Sequence, residues 1–147
     1  MLNMKKFDFV SSFGPQVQLP TRATNGSSGY DFYAPQDYDI KAGEEVLIPT
    51  GVRFVTDEPV WLMCMPRSGL GFKYGVRLAN TIGNIDSDYW QSDNEGHIML
   101  KIVAAKDFSI KKGDRIAQGV ILPYFTVDDD EPLSNKRNGG FGSTDKR

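Results

Sequence analysis

The segment 66–71, which reads Pro-Arg-Ser-Gly-Leu-Gly, contains residue types that bind phosphate. A Ser-Gly pair that opens onto a helical turn presents free backbone N–H groups, which suit phosphate oxygens. Arg67 adds a planar guanidinium that can contact an anion through two nitrogens at once. An ordinary helix cap beside a surface arginine would have the same sequence. Arg67, Ser68 and Gly69 are therefore candidate phosphate ligands, with a purely structural role as the alternative.

A second segment, 83–89, combines two carboxylates and a tyrosine in the order Gly-Asn-Ile-Asp-Ser-Asp-Tyr. The pattern predicts a hairpin, and a carboxylate there could hold a water molecule and deprotonate it. Asp and Ser also favour ordinary turns, so a merely polar turn is the alternative. The residues of this segment alone leave both interpretations open.

Two other segments contribute isolated polar side chains. Asp31 lies between aromatic residues at the start of a predicted strand, where a solvent-facing carboxylate is the simplest interpretation. The segment 113–118 runs from a turn into a strand, and Asp114 and Arg115 are interpreted as a structural turn pair. Gln118, at its end, has no functional argument from its own surroundings.

The C-terminal segment 137–144 reads Arg-Asn-Gly-Gly-Phe-Gly-Ser-Thr. Its glycines permit close approach of the backbone to an anion, and Phe141 offers a face for stacking on a base, worth about 1–3 kcal/mol. It is not a Walker-type phosphate loop, because no Lys-Ser/Thr pair follows the glycines. A low-complexity tail is the alternative. The acidic, proline-containing segment before it predicts a linker, so the chain divides into a β domain at 1–127 and a flexible arm at 128–147.

Short runs rich in Val, Ile, Phe and Tyr lie between Gly and Pro residues along the whole chain, which is typical of many short strands. Only 69–74 favours a helix, a weak one that Ser68 could N-cap. Thr50-Gly51 suggests a hairpin, and 112–114 a turn before the last long strand. The fold class is therefore all-β, as a sandwich, barrel or jelly roll. The predicted strands are Phe7–Val10, Glu45–Ile48, Val52–Val55, Val60–Met65, Val76–Asn80, His97–Ala104 and Ile116–Pro123.

Composition narrows the class of protein. The 147 residues fit one domain. The single cysteine, Cys64, lies in an apolar run and is interpreted as core, and with one histidine it cannot complete a zinc site. Any metal should therefore be a hard cation held by oxygen ligands. The net charge of -2 argues against a general nucleic-acid binder, and the sequence predicts neither a signal peptide nor a membrane span. We expect a cytoplasmic protein.

Taken in order, these segments resemble the five motifs of the homotrimeric dUTP diphosphatase (dUTPase) family, from Leu19 to Thr144. The five counterparts are Gly29–Ala34, Pro66–Leu70, Asn80–Tyr89, Gly113–Gln118 and Arg137–Thr144. The resemblance implies a jelly roll or distorted β-barrel with at most one short helix, whose domain at 1–127 is catalytic. It also implies a trimer in which each of three sites is built from all three chains. The implied reaction is Mg²⁺-assisted attack of water on the α-phosphorus of dUTP, which yields dUMP and pyrophosphate.

The resemblance also implies a role for each matching residue. Asp86 would orient and activate the attacking water, and Asp31 would hold Mg²⁺ through water. Tyr89 would pack against deoxyribose where a ribose 2′-hydroxyl would clash. The implied substrate-binding residues are Arg67, Ser68, Gly69 and Gln118 for the phosphates, Asn80 with the backbone near Gly83 and Ile85 for uracil, and Arg137, Phe141, Gly142, Ser143 and Thr144 of the closing arm, where Phe141 stacks on uracil.

Two rival functions are considered. A dCTP deaminase shares the fold, but deamination needs a carboxylate beside the pyrimidine, and the strand 97–103 contains no acidic residue. Some phage-encoded dUTPases bind host repressors, and the extension Trp90–Glu95 could be such a contact surface, because exposed Trp often anchors interfaces. If the chain were phage-encoded, a regulatory partner and the host cytoplasm would be expected. The alternative is that Trp90 caps the local core.

Overall fold

Short antiparallel strands form almost all of the regular structure in the computed structural model, which describes residues 3–134 and Arg137. Within these residues there are eleven strands, one α-helix and one 3₁₀ turn at Tyr89–Gln91. The helix α1 spans Ser68–Tyr74, and the strands are β1 (Lys5–Phe9), β2 (Tyr30–Tyr33), β3 (Tyr38–Ile40), β4 (Glu45–Pro49), β5 (Val52–Thr56), β6 (Val60–Pro66), β7 (Arg77–Leu78), β8 (Gly83–Ile85), β9 (Met99–Val103), β10 (Phe108–Ile110) and β11 (Arg115–Pro123). The predicted all-β class with one short helix is confirmed.

The strands pair into four sheets with the orders β2-β11-β6-β8, β4-β9-β7, β1-β5 and β3-β10. Alternation along β6 places Leu62 and Cys64 inward, where both are fully buried. They join a single core that includes Phe32, Phe54 and Ile48. Burial raises the pKa of the Cys64 thiol to about 12, so this cysteine is inert core, as its apolar neighbours predicted. The strands described here do not close into one barrel.

Two predicted hairpins are wrong. Thr50 and Gly51 do not join paired strands, because β4 pairs with β9 and β5 pairs with β1. The segment 83–89 is not a hairpin either, since β8 pairs with β6 and the chain then leaves for a different sheet. In both places the long-range partner strand outweighs the local turn preference.

The helix begins at Ser68, the residue that was predicted to be its N-cap. Arg67 has extended backbone angles and occupies the N-cap without a side-chain hydrogen bond, and Ser68 is the first helical residue. Gly75 ends the helix at a φ of 64°; its N–H donates to the Gly71 carbonyl at 3.0 Å, and the following Val76 N–H donates to the Leu70 carbonyl at 3.4 Å. Tyr74 stacks on Phe108 with ring centroids 4.4 Å apart, which fixes the helix against the sheets.

The remaining differences concern strand length. The predicted strand at 76–80 is reduced to Arg77–Leu78, because the chain turns at once and Thr81 adopts a φ of 74°. β3, β8 and β10 contain three residues each, too few to show a periodic pattern. The predicted turn at 112–114 is confirmed, with Gly113 at a φ of 88° and Asp114 capping Lys111 N–H at 2.8 Å. Among the residues that the structure describes, no helix is long and apolar enough to cross a membrane.

Candidate functional site

Three neighbouring strands bring Asp31, Arg67 and Gln118 to one edge of the main sheet. Asp31 on β2 stands opposite Gln118 on β11, and Gln118 stands opposite Met65 near the end of β6. Arg67 follows β6 directly and leads into α1. Residues 36 and 51 positions apart along the chain thus become neighbours through antiparallel pairing.

The Asp31 carboxylate lies between two guanidinium groups. Arg67 Nε is 3.4 Å from its Oδ1, and Arg115 Nη1 is 3.6 Å from its Oδ2. The Asp31 side chain is 10% exposed, whereas that of Arg115 is 45% exposed. One carboxylate therefore holds two arginines at the rim and leaves a net positive charge facing solvent.

This edge borders a cavity of about 640 Å³ with a cationic lining. Arg67, Lys73 and Arg115 contribute three positive charges to its wall, and Asp114 contributes one negative charge. Gly69 also lines it, and a Cβ there would meet nothing within 4 Å. Its charge suits an anionic ligand.

The position of Gln118 depends on Gly29, which precedes β2. A Cβ on Gly29 would lie 2.2 Å from Gln118 Oε1, so only glycine leaves the amide its present place. Gln118 Nε2 points to the carbonyl of Pro66 at 3.4 Å, a long contact that ties β11 to the start of the Arg67 segment. Gln118 is therefore connected to the segment that contains Arg67. The residues around Gln118 in the sequence gave no sign of this connection.

A second cavity, of about 560 Å³, lies beside the end of β8 and contains Asp86. Arg137 Nη1 donates to Asp86 Oδ2 at 2.6 Å and lies 3.7 Å from Asp88 Oδ1. The Asp86 side chain is 45% exposed, so a water molecule or a ligand can reach its other oxygen. Trp61, Asn84, Ser87 and Tyr124 complete the lining.

Tyr89 is buried beneath this cavity. Its hydroxyl donates to the His97 carbonyl at 2.7 Å and accepts from Asn94 Nδ2 at 2.9 Å. The Arg137 guanidinium lies over its ring, 5.6 Å from the centroid. Burial raises the pKa of the Tyr89 phenol, opposed by the Asn94 hydrogen bond and the Arg137 charge, so the hydroxyl stays protonated at neutral pH.

The side chains of β8 explain which of its atoms are available. Gly83 is buried, and a Cβ there would lie 3.0 Å from that of Cys64, so glycine permits close packing of β8 on β6. Ile85 is also buried, in the core. Only the backbone at these two positions could meet a ligand, whereas the exposed Asn84 side chain lines the Asp86 cavity.

Asn80 lies apart from both cavities just described. It lines a third one, of about 450 Å³, with Leu47, Ala79 and Met99 among its neighbours. The single chain therefore distributes Arg67, Asp86 and Asn80 over three cavities. Phe141, Gly142, Ser143 and Thr144 lie outside the described residues. The flexibility of the arm stays a prediction.

The extension after Tyr89 packs locally. Trp90 is half-buried, its Nε1 donates to the Thr56 carbonyl at 3.0 Å, and the Arg53 guanidinium lies 5.8 Å from its ring centroid. His97 is buried, and its Nε2 accepts from Gly51 N–H at 2.9 Å. Burial lowers the pKa of His97, which keeps this acceptor neutral. These contacts favour the interpretation that Trp90 caps the local core.

Several residues of these cavities were not singled out from the sequence. Arg115 was interpreted as a turn residue, and only the pairing of β2 with β11 shows that it reaches Asp31. Trp61 had a usable signal, because it alternates with the buried Leu62 on β6 and must face outward. Tyr124, whose hydroxyl lies 3.1 Å from Ser87 Oγ, follows a strand end and had none.

The described side chains could hold a metal ion only with the help of other ligands. Among residues 3–134 and Arg137, no group of three or more His, Cys, Asp or Glu side chains could hold an ion. A magnesium ion prefers to keep several waters and needs only one or two carboxylates beside phosphate oxygens. Asp31 fits binding through water and not direct coordination, because its carboxylate is buried behind Arg67 and Arg115, which line the cationic cavity.

The fold and the two cavities together define an all-β protein with a cationic cavity beside the end of β6 and, in a separate cavity, a half-exposed carboxylate. A family model described as dUTPase matches residues 15–145. The deoxyuridine 5′-triphosphate nucleotidohydrolase of Haemophilus influenzae (strain PittEE) is 38% identical over an alignment of 156 positions, gaps included, that covers 98% of this chain and all of that one. The enzyme of the same name from Lactococcus lactis subsp. lactis (strain IL1403) is 35% identical and covers 97% of this chain and 99% of its own.

Solved structures agree with this assignment. The dUTPase from Streptococcus mutans superposes with a TM-score of 0.74 at 32% identity and covers 83% of this chain and 98% of that one. A dUTPase from phage phi11 of Staphylococcus aureus has a TM-score of 0.71 at 19% identity, over 90% of this chain and 99% of its own, and shows the shared fold. The chain belongs to the dUTPase family of hydrolases. The jelly-roll prediction is thereby confirmed.

Proposed function

We propose that this chain is a deoxyuridine 5′-triphosphate nucleotidohydrolase that hydrolyses dUTP to dUMP and pyrophosphate. Its relatives carry that name and match it over almost their whole length. The single observation that carries the proposal is the half-exposed Asp86 carboxylate, which Arg137 holds at one oxygen. In the cell, this reaction would limit uracil incorporation into DNA and supply dUMP for thymidylate synthesis.

The cationic cavity would bind the phosphate chain. Arg67 and Gln118 offset its negative charge, and Ser68 and Gly69 contribute first-turn N–H groups that an α-helix leaves without helical partners. Arg115 adds a second guanidinium at the same rim. Asp31 would hold Mg²⁺ through water, and the ion would neutralise charge on the phosphate oxygens when bound. Oriented binding of this kind contributes most of the catalysis in phosphoryl transfer.

Asp86 would act as general base. Its carboxylate orients a water molecule and accepts its proton as the water attacks the α-phosphorus. Arg137, which holds one Asp86 oxygen at 2.6 Å, would turn to the phosphates when substrate is present. Tyr89 would pack against deoxyribose, and the backbone at Gly83 and Ile85 with Asn80 would bind the uracil edge. Phe141, Gly142, Ser143 and Thr144 would close the site.

The proposal includes a homotrimer with shared sites. In one chain Arg67, Asp86 and Asn80 line three different cavities, and one nucleotide could contact all three only if neighbouring chains bring them together. A location in the cytoplasm is proposed with it.

Turnover of dUTP, UTP, dCTP and dTTP, with and without Mg²⁺, tests the activity. We expect dUTP to be hydrolysed far better than the others, because a site that pairs a base edge leaves its own polar groups unpaired with an analogue. Asp86→Asn should lower kcat by about 10²- to 10⁴-fold and still bind nucleotide, since it removes the base but keeps the shape.

Asp88→Asn is the matched control for the Asp86 variant. Asp88 lines the same cavity but lies 3.7 Å from Arg137, so its loss should cost much less activity. Comparable turnover of dCTP, release of ammonia, or wild-type kcat in the Asp86 variant would contradict the proposal.

A further inference from the structure

The extension after Tyr89 reaches back to the Tyr89 side chain through Asn94. The amide of Asn94 makes two different hydrogen bonds with its two ends. Its Nδ2 donates to Tyr89 Oη at 2.9 Å, and its Oδ1 accepts from Gly96 N–H at 3.0 Å. One side chain therefore links the turn of the extension to the phenol.

The Tyr89 ring is held at several points. Its hydroxyl donates to the His97 carbonyl at 2.7 Å while it accepts from Asn94. The residue is 3% exposed, and the Arg137 guanidinium covers one face of the ring. The His97 carbonyl can only accept a hydrogen bond from the hydroxyl, whereas Asn94 donates one to the hydroxyl oxygen.

The turn that holds Asn94 is itself fastened to the body of the protein. Arg53 donates to the carbonyls of Glu95 and Trp90 at 2.7 and 2.8 Å. Ser11 N–H donates to Glu95 Oε1 at 3.1 Å. These hydrogen bonds hold the turn in place, so the position of the Asn94 amide against Tyr89 is fixed by the rest of the protein.

We infer that Asn94 is a positioning residue that sets the selectivity for deoxyribose over ribose. The inference rests on the proposed function, in which the Tyr89 ring packs where a 2′-hydroxyl would clash. Steric exclusion works only if the ring stays in place, and the hydrogen bonds of its hydroxyl with Asn94 and with the His97 carbonyl oppose tilting of the ring. This role belongs to the extension and not to the motif that contains Tyr89.

Asn94→Asp isolates the bond to Tyr89. An aspartate oxygen can still accept from Gly96 N–H, but an ionised carboxylate has no donor for Tyr89 Oη. The hydroxyl then keeps only the one bond that it donates, to this carboxylate or to the His97 carbonyl, in place of its present bonds to both Asn94 and His97. We expect the ratio of kcat/KM for dUTP to that for UTP to fall about five- to tenfold, the equivalent of one hydrogen bond. The fall should come mainly from better use of UTP, with kcat for dUTP nearly unchanged.

A double-mutant cycle with Tyr89→Phe shows whether Asn94 acts through the hydroxyl. Tyr89→Phe alone should also lower the ratio, and adding Asn94→Asp should then change it little, because the bond is already absent. Asp93→Asn, an exposed change in the same turn, should leave the ratio at its wild-type value.

The outcomes separate this inference from the proposed function. An unchanged ratio in Asn94→Asp, or an equal effect of that change with and without the Tyr89 hydroxyl, would overturn the role of Asn94. If Asn94→Asp does not fold, an unchanged ratio in Tyr89→Phe overturns it equally. An unchanged ratio in Tyr89→Ala, or a wild-type enzyme without preference for dUTP, would overturn the proposed role of Tyr89 as well.

Discussion

Arg67 combines a structural contact with a proposed role in binding phosphate. Its Nε lies 3.4 Å from the Asp31 carboxylate, and the rest of its guanidinium borders the cationic cavity. The pairing orients the side chain before any ligand arrives, so less conformational entropy is lost on binding. Asp31 keeps Arg115 as a second partner if Arg67 is removed, and the domain should tolerate that loss.

Arg67→Ala should therefore lower kcat/KM for dUTP about 10- to 100-fold, as expected for a hydrogen bond to a charged group. The melting temperature should change little. Lys73→Ala is the matched control, because it removes a positive charge from the same cavity at the other end of the helix. Steady-state kinetics and thermal unfolding measure both effects. Equal losses in the two variants would mean that the cavity uses only its overall charge and not the Arg67 fork.

At the scale of elements, the extension Trp90–Glu95 depends on a chain reversal that requires glycine at position 96. Glu95 and Gly96 both adopt positive φ, at 63° and 74°. A Cβ on Gly96 would lie 2.5 Å from Trp90 Cα, which is backbone and cannot move aside. The reversal returns the chain to His97 and β9, and it places Asn94 against Tyr89.

Gly96→Ala should accordingly destabilise the protein more than an alanine at any open turn. Gly43 has a φ of 82° with nothing within 4 Å of its Cβ position, so Gly43→Ala measures the backbone strain alone. That strain should cost about 1–2 kcal/mol, and the clash at Gly96 should add roughly 1–3 kcal/mol. Chemical denaturation of the two variants gives the comparison, and equal free energies of unfolding would show that the turn relaxes around the new methyl group.

Elements were predicted well where they are long and periodic. β5, β6 and β11 agree with their predicted ranges to within one residue, because alternation over five to nine residues is a strong signal. The two hairpins at 50–51 and 83–89 failed for a common reason. Local turn residues predict that the chain reverses, but the partner of each strand lies far away in sequence.

At the scale of the whole molecule, the position of Arg137 raises a question of assembly. In the described chain Arg137 contacts Asp86 of the same chain, 51 residues earlier. The family resemblance predicts that the arm acts on a neighbouring chain. The two arrangements differ in whether a site can combine Asp86 from one chain with an arm from another.

Mixed trimers distinguish them. Asp86→Asn and a chain that ends at Asn135 should each be nearly inactive, the first without its base and the second without Arg137 and Phe141. If the arm acts in trans, refolding the two together should restore part of the activity, because some sites then combine an intact Asp86 with an intact arm. Mass spectrometry confirms the hybrids and turnover of dUTP measures the recovery. Confirmed hybrids without activity would show that the arm acts on its own chain.

The sequence by itself determined the all-β class and the family, and it predicted most of the chemical groups of the proposed site. These properties rest on local patterns and residue types, which need no knowledge of what lies across a sheet. Tertiary structure alone decided that Arg115 shares Asp31 with Arg67, that Gly29 makes room for Gln118, and that Asn94 holds Tyr89. Each of these contacts joins separate segments through strand pairing or a positive-φ turn. Such contacts depend on long-range register, which alternation within one strand does not encode.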